Sequence, residues 1–325
     1  MRNSFYIILF CIALIGCKPK IIETPIALET CAEAPIALSS AAVFVLNNRA
    51  YILAGRTGAD WSYSNEFYSY DPATNLWSRL EDLPFEGRSK MIAVTCNGVA
   101  YCGGGFAGDQ KDPSSYKTDW WAFDGNTWKR LPNIPTKYTD GMIAFSINDK
   151  VYAGYGYNHL WSAELFAFDT KTQQWSTDME PDGKKLKLGF GYAYTQNIDH
   201  IFAGLGFDSN NINRWSEYDS STNSWNERTS LPGKGGVFCA ATANSDKVFL
   251  AGGRAFGSPF ADGMIYDLVW AYSITDNQWT LCAHLPQPTE NMIAFTINGI
   301  PYFGLGEDAD GNRLKTLYRL CVNTH

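Results

Sequence analysis

Six segments of this chain repeat one pattern: a β-branched or aromatic run, an Asn-led turn, a Tyr or Phe, and a Gly four residues later. The aromatic column is Tyr51, Tyr101, Tyr152, Phe202, Phe249 and Tyr302, and the glycine column is Gly55, Gly105, Gly156, Gly206, Gly253 and Gly306. The steps between the glycines are 50, 51, 50, 47 and 53 residues. The echo is plainest three periods apart, where DGMIAFSINDKVYAGYG (140–156) meets ENMIAFTINGIPYFGLG (290–306). A unit of that length cannot bury its own apolar face, so it must stack on its neighbours.

Each unit reads as four strands. The turns LNNR, CNGV, INDK and INGI place Asn-Asn, Asn-Gly or Asn-Asp between strand-forming runs, and those pairs tolerate the positive φ of a tight hairpin. A second hairpin follows at YSYDPATNLW (68–77), FAFDTKTQQW (166–175) and SEYDSSTNSW (216–225), in which the Asp starts the turn and the Trp opens an outer strand. Trp77, Trp128, Trp175, Trp225 and Trp279 form that column, and Pro84, Pro135, Pro232 and Pro286 follow seven residues on. The period, the glycines, the aromatic-x-aromatic-Asp run and the spaced tryptophans resemble the kelch motif over about residues 27–323. The resemblance implies an all-β, six-bladed kelch-type β-propeller with four-stranded antiparallel blades.

Five tryptophans for six units show how such a ring closes. The sixth unit stops at LYRLCVNTH, before any outer strand, while LETCAEAP (28–35) aligns with WTLCAHLP (279–286). Leu28 stands in the tryptophan column, so the N-terminal segment is expected to supply the outer strand of the last blade. A single chain closing its own ring is expected to be a monomer. Hairpin register sets Cys96 opposite Val99 and Cys102 opposite Ala93, on opposite faces, and sets Leu317 rather than Cys321 across from Cys31. These cysteines are read as small core thiols.

The ends of the chain bear on its compartment. Arg2 is followed by an apolar run from Phe5 to Gly16, too short to span a bilayer, and by Leu14-Ile15-Gly16-Cys17, which resembles the bacterial lipobox. The expected organisation is a lipoprotein signal peptide over 1–16, a tether lipidated at Cys17 over 17–25, and the propeller over 26–325. A signal cut without lipidation is the alternative. The implied setting is the bacterial cell envelope, periplasmic or surface side, with the membrane met through the lipid alone. The 26 Lys and Arg against 33 Asp and Glu, net −7 and −8 without Arg2, argue against nucleic acid as a partner.

Antiparallel pairing collects the loops after the glycines and those before the inner strands on one face. The residue after each glycine is Arg56, Phe106, Tyr157, Phe207, Arg254 and Glu307, and the residue opening each inner strand is read as Ser39, Ser89, Asp140, Gly189, Gly236 and Glu290. A charged half thus faces an aromatic half, with Arg88, Trp61 and Trp161 in neighbouring loops. Arginine grips a carboxylate through paired hydrogen bonds, and aromatic faces stack on the C–H side of a sugar, so a glycan or sugar acid suits the ring. An envelope protein docked on the same face is the other partner class. Equally, Arg254–Glu307–Arg56 reads as a structural ion-pair chain, with the aromatics as packing.

Asp140 and Glu290 are the candidate catalytic carboxylates, but they fall on blades three and six, across the ring. The resemblance extends in architecture to periplasmic kelch-type N-acetylneuraminate mutarotases, enzymes that epimerise a sugar acid at its anomeric carbon. Kelch proteins of the galactose-oxidase type bind copper through His and Tyr, and this chain, with four histidines, offers no such set. EDADGN (307–312) fails the EF-hand spacing at Arg313, no phosphate-binding glycine loop precedes a helix, and no G-x-S-x-G elbow occurs. No metal or cofactor is expected.

Overall fold

The computed structural model describes residues 21–58, 62–176, 186, 188, 190–257 and 263–322. The expected signal peptide, Cys17 and Trp61 therefore lie outside the described residues. Six four-stranded antiparallel sheets stand as blades around an axis. The inner strands are Ala42–Leu46, Ile92–Cys96, Ile143–Ile147, Ala193–Gln196, Ala240–Ala243 and Ile293–Ile297, and the outer ones begin at or beside the tryptophan column. No helix among the described residues is long and apolar enough to cross a membrane.

The local chemistry read from the sequence produces these hairpins. Asn47, Asn48, Asn97, Asn148 and Asn298 all take positive φ in the inner turns, which gives the twist that flanking strands require. In the outer turns the carboxylates of Asp71, Asp169 and Asp219 accept backbone N–H groups two residues on, the geometry that makes Asp a turn initiator.

Among the described residues the core is divided between blades rather than gathered at the axis. Hydrophobic residues cluster between adjacent blades, each cluster drawing on both. Between blades 1 and 2, for example, Phe44, Tyr51 and Phe67 meet Ala100, Cys102 and Phe123. Strand alternation explains it, because successive side chains point to opposite sides of a blade and each side has a neighbour to cover it. Cys102 accordingly faces blade 1 and Cys96 faces blade 3. The tryptophans add a polar staple: Trp77, Trp175 and Trp279 donate indole N–H bonds of 2.8–2.9 Å to the carbonyls of Ala32, Pro132 and Thr229 on the preceding blade.

Ring closure follows the sequence register. Leu28–Thr30 pairs with Leu317–Leu320 as the outer strand of blade 6, with Leu28 opposite Leu320 and Cys31 bonded to Leu317. Residues 22–26 lie against blade 5: Thr24 and Ile26 donate to Leu281 and Cys282, and Leu281 donates to Ile22. The N-terminal segment thus covers the edge of blade 5 before completing blade 6. Cys321, expected in the core, is exposed, since it follows the last strand and has no neighbouring blade over it.

Candidate functional site

At one face each blade extends past its second strand into a short three-stranded rim. The residue after the glycine bridges the residue opening the inner strand on one side and a returning residue on the other. These triples run Ser39–Arg56–Tyr63, Ser89–Phe106–Tyr116, Asp140–Tyr157–Trp161, Phe190–Phe207–Asn211, Val237–Arg254–Ile265 and Glu290–Glu307–Arg313. The glycines permit this closeness. A Cβ on Gly105 would lie 2.7 Å from the Ser89 carbonyl, one on Gly306 2.5 Å from the Glu290 carbonyl, and both have positive φ.

The opening column differs from the sequence expectation in two blades. Phe190 and Val237 hold the positions assigned to Gly189 and Gly236; Gly189 itself lies outside the described residues. The spacing back from the glycine is a constant 16 residues in all six blades. The next residue is left-handed in every blade: Ser40, Lys90, Gly141, Gly191, Phe238 and Asn291 have φ of 51–70°. Four backbone bonds link this ring from blade to blade: Lys90 to Ser40, Ser40 to Asn291, Asn291 to Phe238 and Phe238 to Gly191.

The charged half gathers around a cavity of ≈ 370 Å³ lined by Arg56, Arg254, Glu290, Glu307, Arg313 and the loop Asp308–Gly311. Arg254 grips Glu290 with a bidentate pair across the blade 5–6 boundary. Arg313 pairs with Glu307 at 3.0 Å, and Asn291 donates to the other oxygen of Glu307 at 2.8 Å. Asp308 turns its carboxylate onto its own loop, accepting from the Asp310 and Asn312 amides. The cavity lining therefore sets three guanidinium groups beside the carboxylates of Glu290, Glu307, Asp308 and Asp310. Burial, and then the charge of Arg313, push the Arg56 guanidinium below its ordinary pKa, opposed by Glu307 and Tyr63. Burial pushes Glu290 up, against the pull of Arg254.

The aromatic half divides. Phe106 is buried against Tyr116, Tyr157 packs on Trp161, and Phe207 packs on Phe256. Inside them lies the mouth of a second cavity, ≈ 530 Å³, running along the axis between the inner strands. Lys90, Asp140, Trp161, Phe190, Tyr192 and Phe238 line its mouth. The Lys90 ammonium lies 5.0 Å from the Phe190 ring centre and 5.7 Å from that of Phe238, and 3.6 Å from Asp140.

One candidate does not join these groups as expected. Arg88 is 1% exposed and committed internally: it clasps Asp119 at 2.5 and 3.1 Å and donates to the carbonyls of Gly104 and Glu86. Its preference for a planar carboxylate is met by an inter-strand Asp, which removes it from the face. Asp140 and Glu290 line different cavities, so they do not flank one bond. Arg254 is held by Glu290 rather than by Glu307. Arg313, Lys90, Phe190 and Phe238 were not singled out from the sequence. Arg313 had no periodic signal, because the rim loops vary in length, whereas Lys90 and Phe238 follow directly from the 16-residue spacing.

Comparison with known proteins gives a consistent frame. A profile described as the KLHDC2/KLHL20/DRC7 Kelch-repeats domain matches residues 24–202. The chain is 26% identical over 217 residues to Kelch-like protein terF of Aspergillus terreus, covering 61% of this chain and 46% of that protein. It is 23% identical over 228 residues to N-acetylneuraminate epimerase of Haemophilus influenzae, covering 70% and 56%. The chain thus spans about half the length of these curated relatives. The solved structure of YjhT superposes with a TM-score of 0.73 at 18% identity, covering 88% of this chain and 96% of that one; at that identity the likeness shows the fold alone.

Proposed function

We propose, from the premise that this chain belongs to the kelch-repeat family, that it is a binding module whose ligand is an anionic carbohydrate held on the rim face. The observation that carries this reading is the convergence of three guanidinium groups, those of Arg56, Arg254 and Arg313, on the ≈ 370 Å³ cavity. A ligand carboxylate placed there accepts paired hydrogen bonds and relieves the crowding of Arg56 by Arg313. The proposed setting is the cell envelope, with the chain anchored through lipid on Cys17. A protein partner docked on the same face is the competing binding mode.

Binding is tested by thermal unfolding of the protein against uronic acids, sialic acids and neutral sugars. A ligand at a hundred times its Kd adds about 2.7 kcal/mol. A sugar acid should shift the wild type and lose most of that shift in Arg56→Ala. No shift with any acid sinks the reading.

One observation favours a second reading, a sugar-acid mutarotase. Glu290 is a cavity-lining carboxyl pushed up by burial and oriented by Arg254, the combination a proton-transferring group needs, and one relative is an epimerase by name. Anomeric exchange measured by NMR, lost in Glu290→Gln while binding persists, would favour it over binding alone.

A further inference from the structure

The mouth of the axial cavity carries features that the arginine cluster does not explain. Asp140 is 9% exposed, and its Oδ1 forms an ion pair with the Lys90 ammonium at 3.6 Å, longer than a hydrogen bond, with no hydrogen-bond partner of its own. A buried carboxylate oxygen left this way is costly unless something donates to it. The left-handed column supplies a second observation. Gly and Asn suit that backbone, but Ser40, Lys90 and Phe238 do not, and each costs about 1–2 kcal/mol there. Two of these three, Lys90 and Phe238, carry side chains that meet Phe190 over the cavity.

We infer that this mouth is a second carbohydrate subsite, taking one neutral hexopyranose ring. Asp140 accepts from one ring hydroxyl, Lys90 donates to the neighbouring oxygen, and Phe190, Phe238 and Trp161 cover the C–H face. A second cation is disfavoured because the Lys90 ammonium already lies over two of the rings. A second anion is disfavoured because Asp140 faces the same space. Neutral, hydroxyl-rich and partly apolar is what remains, and ≈ 530 Å³ lies within the range of small-ligand cavities. Combined with the proposed anionic-carbohydrate reading, on which this part rests, the full ligand is an oligosaccharide with an acidic residue at the arginine cluster and a neutral one at the axis.

The test is calorimetric titration and saturation-transfer NMR of the protein with methyl hexopyranosides at tens of millimolar. At least one glycoside should bind the wild type, and Asp140→Asn and Phe238→Gly should each weaken it at least tenfold. Phe238→Gly suits the left-handed backbone, so it keeps the fold, and near-UV circular dichroism verifies this. No binding by any neutral glycoside, or equal binding by the variants, overturns the subsite. If sugar acids bind wild type but not Arg56→Ala while every neutral glycoside fails, the subsite falls and the anionic reading stands. Neutral binding lost in Asp140→Asn, with no acid bound, supports the subsite and removes the anionic reading.

Discussion

Arg88→Met should destabilise the protein by about 3 kcal/mol without touching the rim face. The guanidinium makes four bonds in the native state, two to Asp119 and one each to the Gly104 and Glu86 carbonyls. Methionine keeps most of the stem's volume but leaves the partly buried Asp119 carboxylate without its cation. Breaking one side of a buried pair costs about 3–5 kcal/mol; Trp121 still donates to Asp119 at 2.7 Å, which argues for the lower end. With roughly 2.1 cal/mol/K of unfolding entropy per residue, 3 kcal/mol over some 300 residues lowers Tm by about 5 °C. The pH dependence has a defined sign. Burial pushes Asp119 up, but Arg88 and then Trp121 together more than offset it, so the native carboxyl sits below its ordinary value. Its contribution is present above an unfolded pKa of about 3.9 and is lost as pH falls through the native value. In the variant, burial dominates and the native value rises above the unfolded one, so the group favours the fold only at acid pH. The deficit should therefore be large at pH 7 and shrink below about pH 4. Calorimetry at both pH values, with Arg88→Met/Asp119→Leu as the compensating pair, checks it. A loss under about 1 kcal/mol, or one independent of pH, refutes the structural role assigned to Arg88.

Further outcomes follow from named contacts. Asp140→Asn should raise Tm at pH 7: burial, only partly offset by Lys90, pushes this carboxyl up, so its contribution is favourable below about pH 3.9 and lost as pH rises through the native value; the gain should vanish in acid, and a lower Tm at pH 7 would contradict it. Gly306→Ala combines a φ of 94° with a Cβ 2.5 Å from the Glu290 carbonyl, and denaturation should register a loss of at least about 2 kcal/mol. Trp279→Phe removes the indole bond to Thr229 while keeping an aromatic ring, for a calorimetric loss of about 1–2 kcal/mol. Relative to a chain starting at Ile21, one starting at Leu28 loses three backbone bonds to blade 5, about 2–3 kcal/mol, and one starting at Ile36 should fail to give a monomer by size-exclusion chromatography because blade 6 lacks its outer strand.

What the sequence determined was everything fixed by local periodicity. Alternation with period 2, Asn turns that accept positive φ, and a 50-residue repeat specify blades, their number and the partner of the N-terminal strand, because each depends on residues in one unit or on equivalence between units. Leu28 opposite Leu320, and Cys96 and Cys102 on opposite faces, were legible for that reason. The tertiary structure decided what depends on neighbouring units and loops of unequal length. Arg88 looked like a face residue until Asp119, 31 residues away, claimed its guanidinium. Arg313 joined the charged cavity through a rim loop with no counterpart of equal length, and Lys90 reached Phe190 and Phe238 only because blades 2, 4 and 5 converge on one axis. Repetition writes a scaffold into the sequence many times over, whereas a cavity lining at the axis is assembled once, from residues of several blades.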